Sequence, residues 1–68
     1  MTWKMTEKQM LDKLEATRRA SQQANGTYYA LGNGEHIFCT VNPALKEAKE
    51  KDGYWLVAIF ENGHRVEA

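Results

Sequence analysis

The sequence predicts an α+β fold with two helices and two hairpins in the order α-β-β-α-β-β. Helix-start signals stand at Thr6 and at Asn42, and Asn-Gly turns divide two runs that are rich in aromatic and β-branched residues. No repeat or linker separates these parts. The 68 residues, 1–68, are therefore expected to form one compact domain with a four-stranded, mostly antiparallel sheet.

The first helix is predicted to begin at Thr6, because residues 6–9 have the form of a capping box. Apolar residues recur at helical spacing only in its first half, at Met10, Leu11 and Leu14. The second half is therefore expected to be weakly anchored, and Asn25-Gly26 to end the helix. Trp3 is expected to plug the core, with an exposed anchor as the alternative.

The first hairpin is predicted to turn at Asn33-Gly34. A two-residue loop there places Ala30 opposite Ile37 and Tyr28 opposite Cys39. The additional Gly32 permits a longer or bulged turn, and a slip by one residue exchanges the faces of the strands.

The second hairpin, residues 54–66, contains the longest apolar run and turns at Asn62-Gly63, which is typical of a type I′ turn. Glu61 then lies opposite His64. Strict alternation predicts two faces. The expected core face carries Trp55, Val57, Ile59 and Val66, and the mixed face carries Tyr54, Leu56, Ala58, Phe60, Arg65 and Glu67.

The second helix has the clearest end signals, with Asn42 as N-cap, Pro43 at the first helical position and Asp52-Gly53 at its end. Its apolar side, Leu45 with two alanines, is expected to cross the sheet face of Val41, Ile59 and Trp55, and Glu47 is expected to pair with Lys51. The strand order stays open. The predicted core is Trp55, Val57, Ile59, Val66, Tyr28, Ile37, Cys39 and Leu45.

Charge and composition restrict the possible functions. Nine Lys and Arg balance nine Asp and Glu, so no electrostatic footprint for nucleic acid is present. The single Cys39 excludes an internal disulfide, and no spacing suggests a metal site, a cofactor or a small-molecule substrate. No signal peptide or membrane-spanning run is evident, which favours a cytoplasmic location and no membrane partner.

The candidate catalytic groups have structural explanations. Cys39 and His36 are three residues apart on one strand, so their side chains point to opposite faces, and Cys39 is expected to be a buried thiol. His64 is expected to form an exposed cross-strand pair with Glu61. Arg18 and Arg19 are expected on a solvated helix face with Glu15. The sequence therefore does not favour an enzyme.

A binding surface is predicted on the mixed face of the sheet. Interfaces favour aromatic residues and arginine, and five such residues are expected there: Tyr29, Phe38, Tyr54, Phe60 and Arg65. The same aromatic residues suit base stacking, which lacks a basic surround here, or burial within the fold.

The leading hypothesis is a small non-enzymatic protein–protein interaction module, of the kind that phages and mobile elements use as inhibitors or adaptors of a larger bacterial protein. The partner is then that protein or a second copy in a homodimer. The alternatives are a dimeric nucleic-acid-linked regulator that uses Arg18 and Arg19, and a thiol protein centred on Cys39.

Overall fold

A computed structural model describes residues 4–66 and confirms the α+β fold with the predicted order of elements. The helices are α1, Glu7–Ala24, and α2, Pro43–Lys51. The strands are β1, Thr27–Gly32; β2, Ile37–Thr40; β3, Trp55–Glu61; and β4, His64–Val66. The expectations for Trp3 and Glu67 lie outside the described residues.

The four strands form one sheet in the order β2-β1-β3-β4, and each neighbouring pair is antiparallel. Because β2 and β3 both run against β1, they are parallel to each other. The connection between them carries α2 across β1, as parallel strands in one sheet require. The edges of the described sheet are therefore β2 and β4.

The β3–β4 hairpin has the predicted register, with Glu61 opposite His64 and Ile59 opposite Val66. Asn62 and Gly63 have φ values of 56° and 85°. Both are positive, as a type I′ turn requires.

The predicted two-residue loop of the first hairpin is wrong. Ala30 lies opposite Cys39, and the loop spans residues 33–36. Asn33 closes it, because its Oδ1 accepts hydrogen bonds of 2.9 Å from the backbone N–H groups of Glu35 and His36. The shift is an even number of residues, so each side chain keeps its predicted face within the hairpin.

A β-bulge at Val57 changes the faces of β3. Ala58 lies opposite Ala30, but Leu56 lies opposite Leu31, so Val57 is an extra residue in the ladder. The strict alternation predicted for residues 54–60 is therefore broken. Ile59 and Val66 share a face with Tyr29 and Leu31, whereas Val57 packs against Ala30, Ala58 and Phe60 on the other face.

The helices lie on opposite faces of the sheet. Leu14 of α1 packs against the cluster of Ala30, Ala58 and Phe60. Lys46 of α2 lies over Tyr29, which is adjacent to Ala30 on β1 and therefore on the other face. The buried apolar residues of the described chain are Ala30, Leu31, Ala58 and Phe60.

The predicted core differs from the observed one. Trp55, Leu45 and Cys39 are exposed, and the other predicted core residues are only partly buried: Tyr28, Ile37, Val57, Ile59 and Val66. Cys39 is not a buried thiol because β2 is the edge strand. The bulge and the orientation of α2, described below, account for Trp55 and Leu45.

The second half of α1 is anchored by polar contacts, contrary to expectation. Thr17 and Ser21 are buried, and Ser21 Oγ accepts a 3.0 Å hydrogen bond from the Gly63 N–H. Asn62 N–H donates to the Gly26 carbonyl at 3.1 Å. The Thr6–Gln9 capping box is confirmed, and Asn25 ends the helix with a left-handed φ of 55°. The β3–β4 turn is thus fixed to the end of α1.

Candidate interaction surface

Helix α2 turns lysines toward the sheet. Lys46 Nζ lies 5.8 Å from the ring centroid of Tyr29, and Lys49 Nζ lies 4.7 Å from that of Phe38 and 5.2 Å from that of Tyr54. At these distances an ammonium is attracted by the face of an aromatic ring, and the aliphatic stem covers apolar surface. Both lysines are partly buried. Lysine stems therefore do the packing that the apolar side of α2 was expected to do.

The apolar residues of α2 face solvent instead. Ala44, Leu45 and Ala48 lie on one side of the helix by their spacing, and all three are exposed. Val41, immediately before the Asn42 N-cap, is also exposed. The exposed fractions of Val41 and Leu45 are 53% and 46%. We call these four residues, Val41, Ala44, Leu45 and Ala48, the α2 apolar surface.

The α2 apolar surface lies on the side of the helix away from its lysines. Lys46 lies over Tyr29 of β1, and Lys49 lies over Phe38 of β2 and over Tyr54, immediately before β3. At 100° per residue, the helix surface passes from Lys46 through Lys49 to Leu45 and then Ala48. Leu45 therefore lies beside the lysines, and Ala44 and Ala48 lie on the side opposite them.

The orientation of α2 is set at both ends of the helix. Asn42 Oδ1 accepts a 2.9 Å hydrogen bond from Ala44 N–H, and Pro43 occupies the first turn. Gly53 follows the Asp52 C-cap with a φ of 94°. The ion pair observed along the helix is Lys46–Glu50 at 3.1 Å, where Glu47–Lys51 was predicted. This pair holds the Lys46 ammonium beside the helix while its stem covers Tyr29.

Within residues 4–66, the β2 edge presents backbone groups that no other strand pairs. The His36 carbonyl accepts a 3.3 Å hydrogen bond from Asn33 N–H, so His36 points its backbone groups toward the β1 side. Backbone direction alternates along an antiparallel ladder, so Ile37 and Cys39 point their N–H and carbonyl groups outward. The exposure of Cys39 agrees with this placement.

The structure separates the five predicted binding residues. Tyr29, Phe38 and Tyr54 lie together beneath the lysines of α2. Phe60 is 5% exposed and belongs to the core on the α1 face, so it offers no surface to a partner. Arg65 is exposed opposite Phe60, and its Nη2 donates to the Val57 carbonyl at 3.4 Å. The assumption that all five share one face was wrong.

The two arginines of α1, Arg18 and Arg19, are engaged with the carboxylate of Glu15. Arg18 Nε donates to both carboxylate oxygens of Glu15 at 3.0 Å, and Arg19 Nε lies 3.5 Å from the same carboxylate. The hydrogen bond from Arg18 lowers the pKa of Glu15 and raises the pKa of Arg18. The side chains of Arg18 and Glu15 remain partly exposed. This arrangement is that of a surface ion pair rather than a phosphate site.

A shallow cleft of about 370 Å³ lies between the start of α1 and the first hairpin loop. It is lined by Lys4, Met5, Gln9, Glu35 and His36. Lys4 Nζ lies 2.9 Å from Glu35 Oε1, and this contact raises the pKa of Lys4 and lowers that of Glu35. Both side chains are largely in solvent. The cleft is open to solvent, and the charged side chains of Lys4 and Glu35 in it already form an ion pair with each other.

Residues 4–66 contain no group of three His, Cys, Asp or Glu side chains that could hold a metal ion. Neither helix in this part of the chain has the length and apolar character needed to cross a bilayer. Comparison of the chain with known protein families, curated proteins and solved structures finds no match. The features of the described chain that point to a function are therefore the orientation of α2 and the open edge of β2.

Sequence reasoning missed the α2 apolar surface because it assigned Leu45 to the core. The sequence did contain one signal for the observed orientation of α2, namely three aromatic residues on the strands and two lysines on the helix. The predicted strands offered Tyr29, Phe38 and Tyr54, and α2 brings Lys46 and Lys49 to the same region. Lysine stems are well suited to covering such rings at a half-exposed site.

Proposed function

We propose that this protein is a non-enzymatic protein–protein interaction module whose binding site is the α2 apolar surface. The observation that supports it is the orientation of α2, a helix that packs with its lysines and exposes its apolar side. A surface helix normally packs with its apolar side and exposes its charged side chains.

An exposed apolar surface and an open sheet edge both suit a protein partner. Contiguous exposed apolar residues are typical of interaction sites, and the outward backbone groups of Ile37 and Cys39 provide hydrogen bonds to an incoming strand. The small side chains of Ala44 and Ala48 allow another element to approach the helix closely. The narrower hypothesis of an inhibitor or adaptor that acts on a larger bacterial protein stays a prediction.

The test compares two variants that each place a lysine at an exposed leucine. Leu45→Lys changes the α2 apolar surface, whereas Leu11→Lys changes α1 on the opposite face, where Leu11 is 57% exposed. Each variant is immobilised, and the proteins captured from the source cell are quantified by mass spectrometry. We expect Leu45→Lys to lose the proteins that the parent captures, the chain itself included, and Leu11→Lys to retain them. Equal capture by both variants contradicts the proposal, provided that circular dichroism shows both to be folded.

A further inference from the structure

We infer that α2 is a lid that opens from the sheet while the rest of the fold stays intact, and that opening exposes the rings of Tyr29, Phe38 and Tyr54. In the closed state these rings lie beneath Lys46 and Lys49. The inference goes beyond the proposed function, because it concerns the sheet face that α2 covers and not the outer side of the helix.

The contacts that hold α2 on the sheet are few. None of residues 43–51 is buried, and the ammonium groups over the rings lie between 4.7 and 5.8 Å from the ring centroids. The ion pair of the helix, Lys46–Glu50, lies within α2 itself. In the described chain, no hydrogen bond joins α2 to β1 or β2. Opening of α2 therefore breaks few contacts, as is typical of segments that open locally.

Helix α1 is held to the rest of the fold in a different way. Thr17 and Ser21 are buried, Ser21 Oγ accepts a 3.0 Å hydrogen bond from Gly63 N–H, and Arg18 Nη1 donates to the Gly63 carbonyl at 3.3 Å. Breaking a hydrogen bond between buried groups is costly, because each group loses its partner. Of the two helices, α2 is therefore the one that opens first.

Both ends of α2 allow the helix to move. Gly53 follows the Asp52 C-cap with a φ of 94°, and in the described chain nothing lies within 4 Å of the position that its Cβ atom would take. Val41, before the other end, is 53% exposed. Hinges are commonly a few residues at the ends of elements that absorb a change of φ and ψ. Residues 41–54 can therefore open together while β2 and β3 stay paired with β1.

Opening uncovers a face that is aromatic and apolar. Tyr29, Phe38 and Tyr54 are partly buried in the closed state, and Leu31, which shares their face, is fully buried. Contiguous apolar and aromatic side chains are typical of interaction surfaces when they reach solvent. The lid thus controls access to three of the five residues that the sequence predicts for binding.

Hydrogen exchange of the parent protein at low urea concentrations tests the inference. Lys46 N–H donates to the Asn42 carbonyl in α2 at 3.0 Å, and Gly63 N–H donates to Ser21 Oγ of α1 at 3.0 Å. We expect the Lys46 amide to be protected at least about tenfold less than the Gly63 amide, with a weaker dependence on urea, because opening of α2 exposes less surface than global unfolding. Equal protection and equal urea dependence of the two amides would overturn the inference.

A matched pair of lysine variants separates opening of the lid from fraying of a short helix. Lys49 lies over two rings, whereas Lys51 is exposed on the same helix. Lys49→Glu and Lys51→Glu make the same charge change in the last turn, but only the first removes an ammonium group from the rings. We expect Lys49→Glu to speed exchange of the Lys46 amide about threefold or more, and Lys51→Glu to leave it within about twofold. An equal effect of both variants contradicts the lid.

Thiol labelling tests whether opening uncovers the sheet face. Leu31 and Ala30 are neighbours on β1, and both are fully buried, with side chains on opposite faces. Leu31→Cys and Ala30→Cys are each combined with Cys39→Ser, which removes the single native thiol, and are treated with iodoacetamide. We expect the thiol of Leu31→Cys to react faster than global unfolding allows and to respond to Lys49→Glu. The thiol of Ala30→Cys, on the α1 face, should react only through global unfolding.

The labelling result overturns the inference if both thiols react only as fast as global unfolding allows, because α2 then does not open separately. A Leu31→Cys thiol that reacts as fast as in the unfolded chain also overturns it, because α2 then does not cover this face. If either cysteine variant fails to fold by circular dichroism, the exchange rates of the parent and of the two lysine variants decide.

Discussion

Gly63 joins the second hairpin to the first helix. Its N–H donates to Ser21 Oγ at 3.0 Å, and its carbonyl accepts from Arg18 Nη1 at 3.3 Å. Its φ is 85°, and a Cβ atom there would lie 2.9 Å from the Cβ atom of Gln22. The turn at Gly63 was predictable because its signal lies within two residues. The contacts with Ser21 and Gln22 were not, since they join residues about forty positions apart.

Replacement of Gly63 by alanine should destabilise the protein more than the same change at Gly53. Both glycines have positive φ, 85° and 94°, so each substitution incurs backbone strain of about 1–2 kcal/mol. Only Gly63 has a neighbour that the new Cβ would strike, because nothing lies within 4 Å at Gly53. We expect Gly63→Ala to lower the free energy of unfolding by about 1 kcal/mol more than Gly53→Ala, as overpacking commonly does. Equal urea midpoints for the two variants argue against the close approach of α1 to this turn.

Glu15 should make the folding stability of the protein depend on pH in the acidic range. Its pKa lies below the ordinary value of 4.5, chiefly because Arg18 donates hydrogen bonds to the carboxylate. The folded state therefore favours the ionised form. The stabilisation is fully present above pH about 4.5 and is lost as pH falls through the folded-state pKa. We expect the melting temperatures of the parent and of Glu15→Gln to differ at pH 7 and to converge as pH falls below 4.5. A constant difference across this range contradicts the assignment.

At the scale of elements, the ends of α2 follow from local sequence signals, whereas its orientation follows from packing against the sheet. Its N-cap and C-terminal glycine were predictable because capping is local. Its orientation was not, because it depends on which sheet face the helix meets. That face presents the rings of Tyr29, Phe38 and Tyr54, and lysine stems cover them while Leu45 remains outside.

Two Leu→Ala variants measure this orientation directly. Leu31 is fully buried, so Leu31→Ala should cost about 2–5 kcal/mol, the usual range for a buried leucine. Leu45 is 46% exposed, so Leu45→Ala should cost less than about 1 kcal/mol in dilute protein. Chemical denaturation at a concentration below that of self-association gives both values. A comparable loss at both sites would mean that Leu45 packs within the monomer.

At the scale of the whole molecule, some features follow from local sequence and others from pairing between residues that are far apart in the chain. The element order and the β3–β4 register followed from caps, alternation and an Asn-Gly turn. The strand order and the Val57 bulge arise from pairing between β1 and β3, which the sequence separates by β2 and α2. The bulge moves Phe60 to the α1 face, away from Tyr29, and so divides the predicted binding surface. No residue pattern near Val57 indicated it.

The small size of the molecule limits its core. A sheet with a helix on each face has two apolar layers to fill, yet the buried apolar residues of the described chain are only Ala30, Leu31, Ala58 and Phe60. Many of the remaining apolar residues are partly buried or lie on the α2 apolar surface. A protein partner at this surface would cover the layer that contains α2.

Hydrogen exchange at the β2 edge tests this account most directly. The amides of Ile37 and Cys39 point outward, so they should exchange rapidly with solvent. The amides of Phe38 and Thr40 point toward β1 and should be protected. The account predicts this alternating protection along β2, read by NMR for each residue. Protection at Ile37 and Cys39 equal to that at Phe38 and Thr40 would contradict it.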